Sequence, residues 1–138
     1  MCGIVGYLGE IPNSNNLLFE MINAVNHRGP DNHGIWFDEN AGIGFAHSRL
    51  SILDLSPAGH QPMHSVSNNL VMIFNGEIYN HNEIRSELEK ISNRNWNGYS
   101  DTETLLAAIE EWGLDNALRK TKGMFALALW DKLNKKLS

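Results

Sequence analysis

Met1-Cys2-Gly3-Ile4-Val5-Gly6 opens the chain, and its reading decides both the fold and the chemistry to be expected. From Gly3 to Leu8 the residues are apolar and β-branched, and Gly9 ends the run. This predicts a strand starting almost at the amino terminus. Cys2 is the only cysteine, so no internal disulfide can form and a reducing compartment fits. A lone cysteine by itself reads equally as a small buried hydrophobe. Position 2 shifts the balance. Removal of Met1, which a small second residue permits, would place the thiol on the same residue as a free α-amine. That amine, with a pKa of roughly 7.7–8.0, is a usable base near neutral pH. A nucleophile activated by its own amine needs no histidine or aspartate partner.

The 138 residues suit one domain with a core of its own. With 42% hydrophobic and 20% charged residues, the composition is that of a globular protein rather than a disordered one. A net charge of -5 offers no electrostatic footprint for nucleic acid or an anionic membrane surface. The opening lacks a basic n-region and is broken by glycines and Glu10, so it does not read as a secretory signal. No apolar run approaches the roughly 20 residues of a membrane span. A cytoplasmic protein is the expectation.

After Pro12, the polar run Asn13 to Asn16 offers a helix N-cap. Leu17, Leu18, Met21, Ile22 and Val25 then recur at helical spacing, which predicts a helix over 15–26 with one buried face. His27-Arg28-Gly29-Pro30-Asp31 stops it. Strands are predicted at Gly34–Phe37 and Ile43–His47, joined by a turn at Asp38-Glu39-Asn40. Leu55 to Val66, with Pro57, Gly59, His60, Pro62 and His64, reads as a loop. Leu70–Phe74 reads as a buried strand running into Asn75-Gly76, a pair that in isolation marks a tight turn. Helices fit Asn82–Ile91 and Asp101–Trp112, the second with Asp101 and Glu103 in the first turn where they suit the helix dipole. Met124–Trp130 is strand-like, followed by a turn at Asp131–Asn134 and the start of a return strand at Lys135. A hairpin stopping within its second strand leaves an unpaired edge, so an incomplete domain is expected.

The opening hexapeptide resembles the start of class II glutamine amidotransferases, which belong to the N-terminal-nucleophile hydrolases. Further blocks resemble the asparagine-synthetase branch of that family. They are His27-Arg28-Gly29-Pro30-Asp31, Arg49-Leu50-Ser51-Ile52-Leu53, Asn75-Gly76-Glu77-Ile78-Tyr79-Asn80, Ser100-Asp101-Thr102-Glu103 and Gly123-Met124-Phe125-Ala126-Leu127-Ala128-Leu129-Trp130-Asp131. They follow in family order from Cys2 to Asp131. The resemblance implies an α+β fold, a four-layer αββα sandwich, with residues 2–138 as an amidotransferase domain lacking its carboxy-terminal part. It implies Cys2 as nucleophile, with the side-chain amide of Asn75 and the N–H of Gly76 as oxyanion hole. For L-glutamine it implies a pocket of Arg49, Leu50, Ile52, Leu53, Asn75, Gly76, Glu77 and Asp101. The implied activity is hydrolysis of glutamine to glutamate, the ammonia passing to a carboxy-terminal synthetase domain that makes asparagine from aspartate. ATP and magnesium belong to that separate domain, and the glutaminase half calls for no metal or organic cofactor.

The residue types suit these roles on physical grounds. A planar guanidinium at Arg49 can hold a carboxylate by two parallel hydrogen bonds, or pair with a nearby acid on the surface. A short amide at Asn75 and an approachable N–H at Gly76 can point at one developing oxyanion. Asp101 serves either a helix start or, as the resemblance implies, the substrate α-ammonium, and both only if its two oxygens divide the work. Glu77 is expected to contribute through its main chain. His60 and His64 are four apart, but Pro62 lies between them and no acid follows His60, so the zinc-protease pattern is absent. His27, His33, His47 and His81 read as structural or surface residues. An amidotransferase acting on a sugar or another carboxylate in surface-polysaccharide assembly fits the same blocks, as does a truncated non-catalytic fragment. The assembly is open, a homodimer included.

Overall fold

The opening run forms β1 (Gly3–Leu8) in the computed structural model of the chain, which describes residues 2–11, 13–50 and 57–138. Next comes α1 (Ser14–Ala24), entered from Asn13 at φ 57 and followed by a 3₁₀ turn at Asn26–Arg28 where the end of the predicted helix would lie. β2 (Asn32–Asp38) and β3 (Ile43–Arg49) join β1 in an antiparallel sheet of order β1-β3-β2. β4 (Met63–His64), β5 (Leu70–Ile78), β6 (Gly123–Asp131) and β7 (Lys136–Leu137) form a second antiparallel sheet in that order. Between β5 and β6 the chain runs through α2 (His81–Ile91), α3 (Asp101–Trp112) and α4 (Leu114–Lys120).

Strand alternation sorts the side chains into three apolar layers. On the first sheet, Val5, Tyr7, Ile35, Phe37 and Ala46 face α1, where they meet the fully buried Leu18 and Ile22. Their neighbours Ile4, Trp36, Ile43 and Phe45 point the other way, against Val71 and Ile73 of β5 and Ala128 and Trp130 of β6. Met72 and Phe74, one residue out of phase, face α2 and α3 together with Leu127 and Leu129. β5 is therefore apolar on both sides because it is covered on both sides. The order helix, sheet, sheet, helices is the expected αββα sandwich. Each fully buried Leu or Ile contributes about 1.5–3 kcal/mol, so no one layer dominates.

The structure departs from local expectation in three places. Asn75-Gly76 is not a turn: β5 continues through it to Ile78, with Asn75 opposite Ala126 and Gly76 opposite Phe125. Tertiary pairing overrides the turn preference. The loop at Leu55 to Val66 contains a 3₁₀ turn at Pro57–Gly59 and the short β4. α4 has no counterpart among the predicted helices. It is too short to persist alone, and it is held by packing Leu114, Ala117 and Leu118 onto the helical layer.

Candidate active site

Cys2 precedes Ile4 by two residues, so alternation turns it toward the space between the sheets. Its sulfur accepts a hydrogen bond from the Leu50 N–H at 3.4 Å, and the thiol lies 3.7 Å from the Leu50 carbonyl. On the other side, Arg28 Nε donates to the Cys2 carbonyl at 3.2 Å. Sequence reasoning had treated the His27-Arg28-Gly29-Pro30-Asp31 block only as a helix stop and a family signature. Its physical job is to carry Arg28 onto the terminus. Gly29 lets the turn pass close, since a Cβ there would stand 2.3 Å from the Ser48 carbonyl oxygen, and Ser48 Oγ donates to the Gly29 carbonyl at 2.5 Å.

Arg49 ends β3, beside Leu50. Its guanidinium lies over the bare Cα of Gly59, where an added Cβ would come within 2.1 Å of Nη2 and 2.9 Å of Cζ. The 3₁₀ turn at Pro57–Gly59 thus limits where that fork can point.

The candidate oxyanion pair sits on the edge of the second sheet. Phe74 N–H is accepted by Gln61 Oε1 at 2.6 Å and Ile78 N–H by Asp101 Oδ2 at 2.9 Å, so the even-numbered amides of β5 face away from β6. The Gly76 amide lies between them on that same edge. Asn75, in phase with Val71 and Ile73, projects into the inter-sheet space, and its Oδ1 is buried without a partner among the described residues. That acceptor is not spent on the fold. Glycine is required at position 76 because a Cβ would stand 2.3 Å from the Met124 carbonyl oxygen and 2.4 Å from Phe125 Cβ.

Asp101 is 6% exposed and is the first residue of α3, not its cap. The cap is Ser100, whose Oγ accepts from Glu103 N–H at 3.2 Å. Glu103 in turn accepts from Asn97 and Gly98 N–H, and Arg85 holds the same segment by donating to the Gly98 carbonyl at 2.9 Å. With its helix start secured by Ser100, the Asp101 carboxylate takes Ile78 N–H on Oδ2 and Thr102 N–H at 2.8 Å on Oδ1. A carboxylate has about four acceptor positions, so capacity remains for an ammonium group.

Glu77 follows Asn75 on the same face, but its main-chain groups belong to the β5–β6 ladder, opposite Met124. Its side chain is exposed. Ile52 and Leu53 lie outside the described residues, as does Met1. Among the described residues, no group of three or more His, Cys, Asp or Glu could hold a metal ion, and no helix is long and apolar enough to cross a membrane.

His47 is 1% exposed, in the inter-sheet layer one residue pair from the terminus, opposite Ile4. Its Nε2 is buried without a partner among the described residues. Burial lowers the His47 pKa from 6.5 to about 4, aided by the positive charge of Arg49. Below pH 6.5 the unfolded chain binds this proton and the folded one does not, so stability falls as the pH drops toward 4. The difference amounts to roughly 3 kcal/mol. His64, whose pKa burial also lowers, acts in the same direction. Urea midpoints measured from pH 7 to pH 4.5 should therefore decline, with a shallower slope in His47→Gln; equal slopes would remove His47 as the cause.

The glutamine amidotransferase domain family matches residues 1–138. The chain belongs to that family. Among curated relatives of this amidotransferase domain, asparagine synthetase [glutamine-hydrolyzing] 1 of Bacillus subtilis is 41% identical over 137 residues, covering 96% of this chain and 21% of that protein. Amidase chry2 of Gibberella zeae is 36% identical over 116 residues, covering 84% of this chain and 17% of that protein. The chain thus spans about a fifth of the length of these relatives. In fold it matches the glutamine phosphoribosylpyrophosphate amidotransferase from B. subtilis, solved with ADP and GMP. The TM-score is 0.69 at 20% identity, over 95% of this chain and 35% of that one. The αββα arrangement is therefore shared with a distant amidotransferase as well as with the asparagine-synthetase branch.

Proposed function

We propose that the chain is the glutamine-hydrolysing part of an amidotransferase, releasing ammonia from L-glutamine through a thioester on Cys2. What supports this reading is the terminal Cys2 sulfur held against the Leu50 main chain, together with a buried Asn75 side chain on β5 whose Oδ1 has no partner among the described residues. With Met1 removed, the α-amine of Cys2 takes the thiol proton, directly or through a water. Sγ attacks the side-chain carboxamide carbon, and the carbonyl electron pair moves to oxygen, facing the Asn75 amide and the Gly76 N–H. Collapse of this intermediate expels ammonia, which receives the proton from the α-ammonium. Water then attacks the γ-glutamyl thioester, giving glutamate and returning the thiol. Arg49 holds the substrate α-carboxylate and Asp101 its α-ammonium, and Leu50 and Glu77 contribute to glutamine binding, as do Ile52 and Leu53, which lie outside the described residues.

The acceptor half of the whole protein is, in this proposal, an ATP-dependent synthetase making asparagine from aspartate, as the printed name of the B. subtilis relative suggests. A cytoplasmic location agrees with the single, unpaired cysteine. The test is steady-state conversion of L-glutamine by the Met1-free chain. Glutamate and ammonia should appear in equal amounts, and glutamine should raise the thermal midpoint. A chain that does neither does not carry this function.

A further inference from the structure

Gln61 is a buried polar side chain, 5% exposed, that the mechanism above does not use. Its main chain lies against β2, where a Cβ on Gly34 would be 1.9 Å from the Gln61 carbonyl oxygen. Its side chain leaves that sheet and spans to the other. Oε1 accepts the Phe74 N–H at 2.6 Å, and Nε2 donates to Thr102 Oγ1 at 3.4 Å. Phe74 is the residue before Asn75, and Thr102 follows Asp101, giving its own N–H to the Asp101 carboxylate. One amide therefore touches both the strand that carries the oxyanion pair and the helix start that carries the ammonium partner.

We propose that Gln61 is a positioning residue that sets the aim of Asn75 and Gly76 and couples it to Asp101; the inference rests on the function proposed above. β4 reaches only as far as Met63 opposite Met72, so beyond it the edge of β5 has no strand partner on that side among the described residues. Without Gln61 the Phe74 amide would be a buried donor left unpaired at this edge. Main chain free to tilt there moves the Gly76 N–H with it. A glutamine suits this place because only a side-chain amide accepts at one end and donates at the other.

The test uses the full chain with Met1 removed and compares kcat, KM and thermal midpoint. Gln61→Met, which keeps the volume and loses both hydrogen bonds, should lower kcat about tenfold or more per folded molecule. Gln61→Glu keeps an acceptor for Phe74 N–H and should recover kcat to within about threefold of the unaltered chain. In an Asn75→Ala background the Gln61→Met loss should shrink to about threefold, because one of the two donors it aims is gone while the Gly76 N–H remains. An active unaltered chain with Gln61→Met at full kcat, or with the same loss in both backgrounds, overturns the positioning role and leaves the glutaminase intact. An unaltered chain that neither turns over glutamine nor is stabilised by it overturns the underlying function, and this role with it.

Discussion

Replacing Cys2 by alanine is expected to abolish glutamine hydrolysis, with a loss of about 10⁴-fold or more, while the fold persists. In the proposed mechanism the thiol forms the acyl bond, and the chain has no other cysteine to replace it. Its removal costs the weak contacts of Sγ with the Leu50 main chain at 3.4 and 3.7 Å, which are worth about 1 kcal/mol at most. Activity and stability therefore separate, and the measurement is both together: turnover of glutamine and the thermal midpoint of the same preparation. The same logic applies to Met1. A chain that retains it has its Cys2 nitrogen tied up in a peptide bond, so the base is lost although the thiol remains. Equal turnover in Met1-free and Met1-retaining chains would rule out the free amine as the proton carrier, and residual activity within tenfold in Cys2→Ala would rule out the thioester.

Gly76→Ala should fail for two reasons at once, and they can be told apart. The new Cβ would meet the Met124 carbonyl oxygen at 2.3 Å and Phe125 Cβ and Cα at 2.4 and 2.5 Å. Main chain cannot swing aside as a flexible side chain does. β5 and β6 must separate locally, at a cost of about 1–3 kcal/mol in stability. The displaced strand carries the Gly76 N–H off its line, for a further loss of about 10²–10³ in kcat. Asn75→Ala is the comparison, since it removes the other donor without a main-chain clash. It should show the rate loss with little change in midpoint. A Gly76→Ala chain with both midpoint and kcat unchanged would remove position 76 from the oxyanion hole and from the strand packing alike.

Much of the fold was legible because it is written in short periods. β1 and α3 fall on the predicted residues, Gly3–Leu8 and Asp101–Trp112, each having its own clean pattern and a distinct stop. The turn preference of Asn75-Gly76 gives way because pairing with β6 carries β5 straight through it to Ile78. α4 was missed because a single short amphipathic turn has no signal until α3 lies beside it. Of the candidate site, the residue types and order could be read from the blocks. The division of labour at Asp101 could not, because the cap role had two neighbouring claimants and only the Ser100–Glu103 contact resolves it.

By itself the sequence determined where most strands and helices fall and that a thiol could stand at the terminus, which follow from side-chain chemistry and from spacing within a few residues. The sandwich and the carboxylate, ammonium and oxyanion roles were read from its motifs through their family resemblance. Only the tertiary structure decided that the Cys2 thiol rests on Leu50, 48 residues away, and that Arg28 holds the Cys2 carbonyl from 26 residues away. It also showed the Gln61 side chain joining Phe74 of β5 to Thr102 at the start of α3. Contacts of that kind depend on how two sheets are laid face to face. Nothing in a local pattern records that, and Cys2, which alone is only a small buried thiol, owes its surroundings to it.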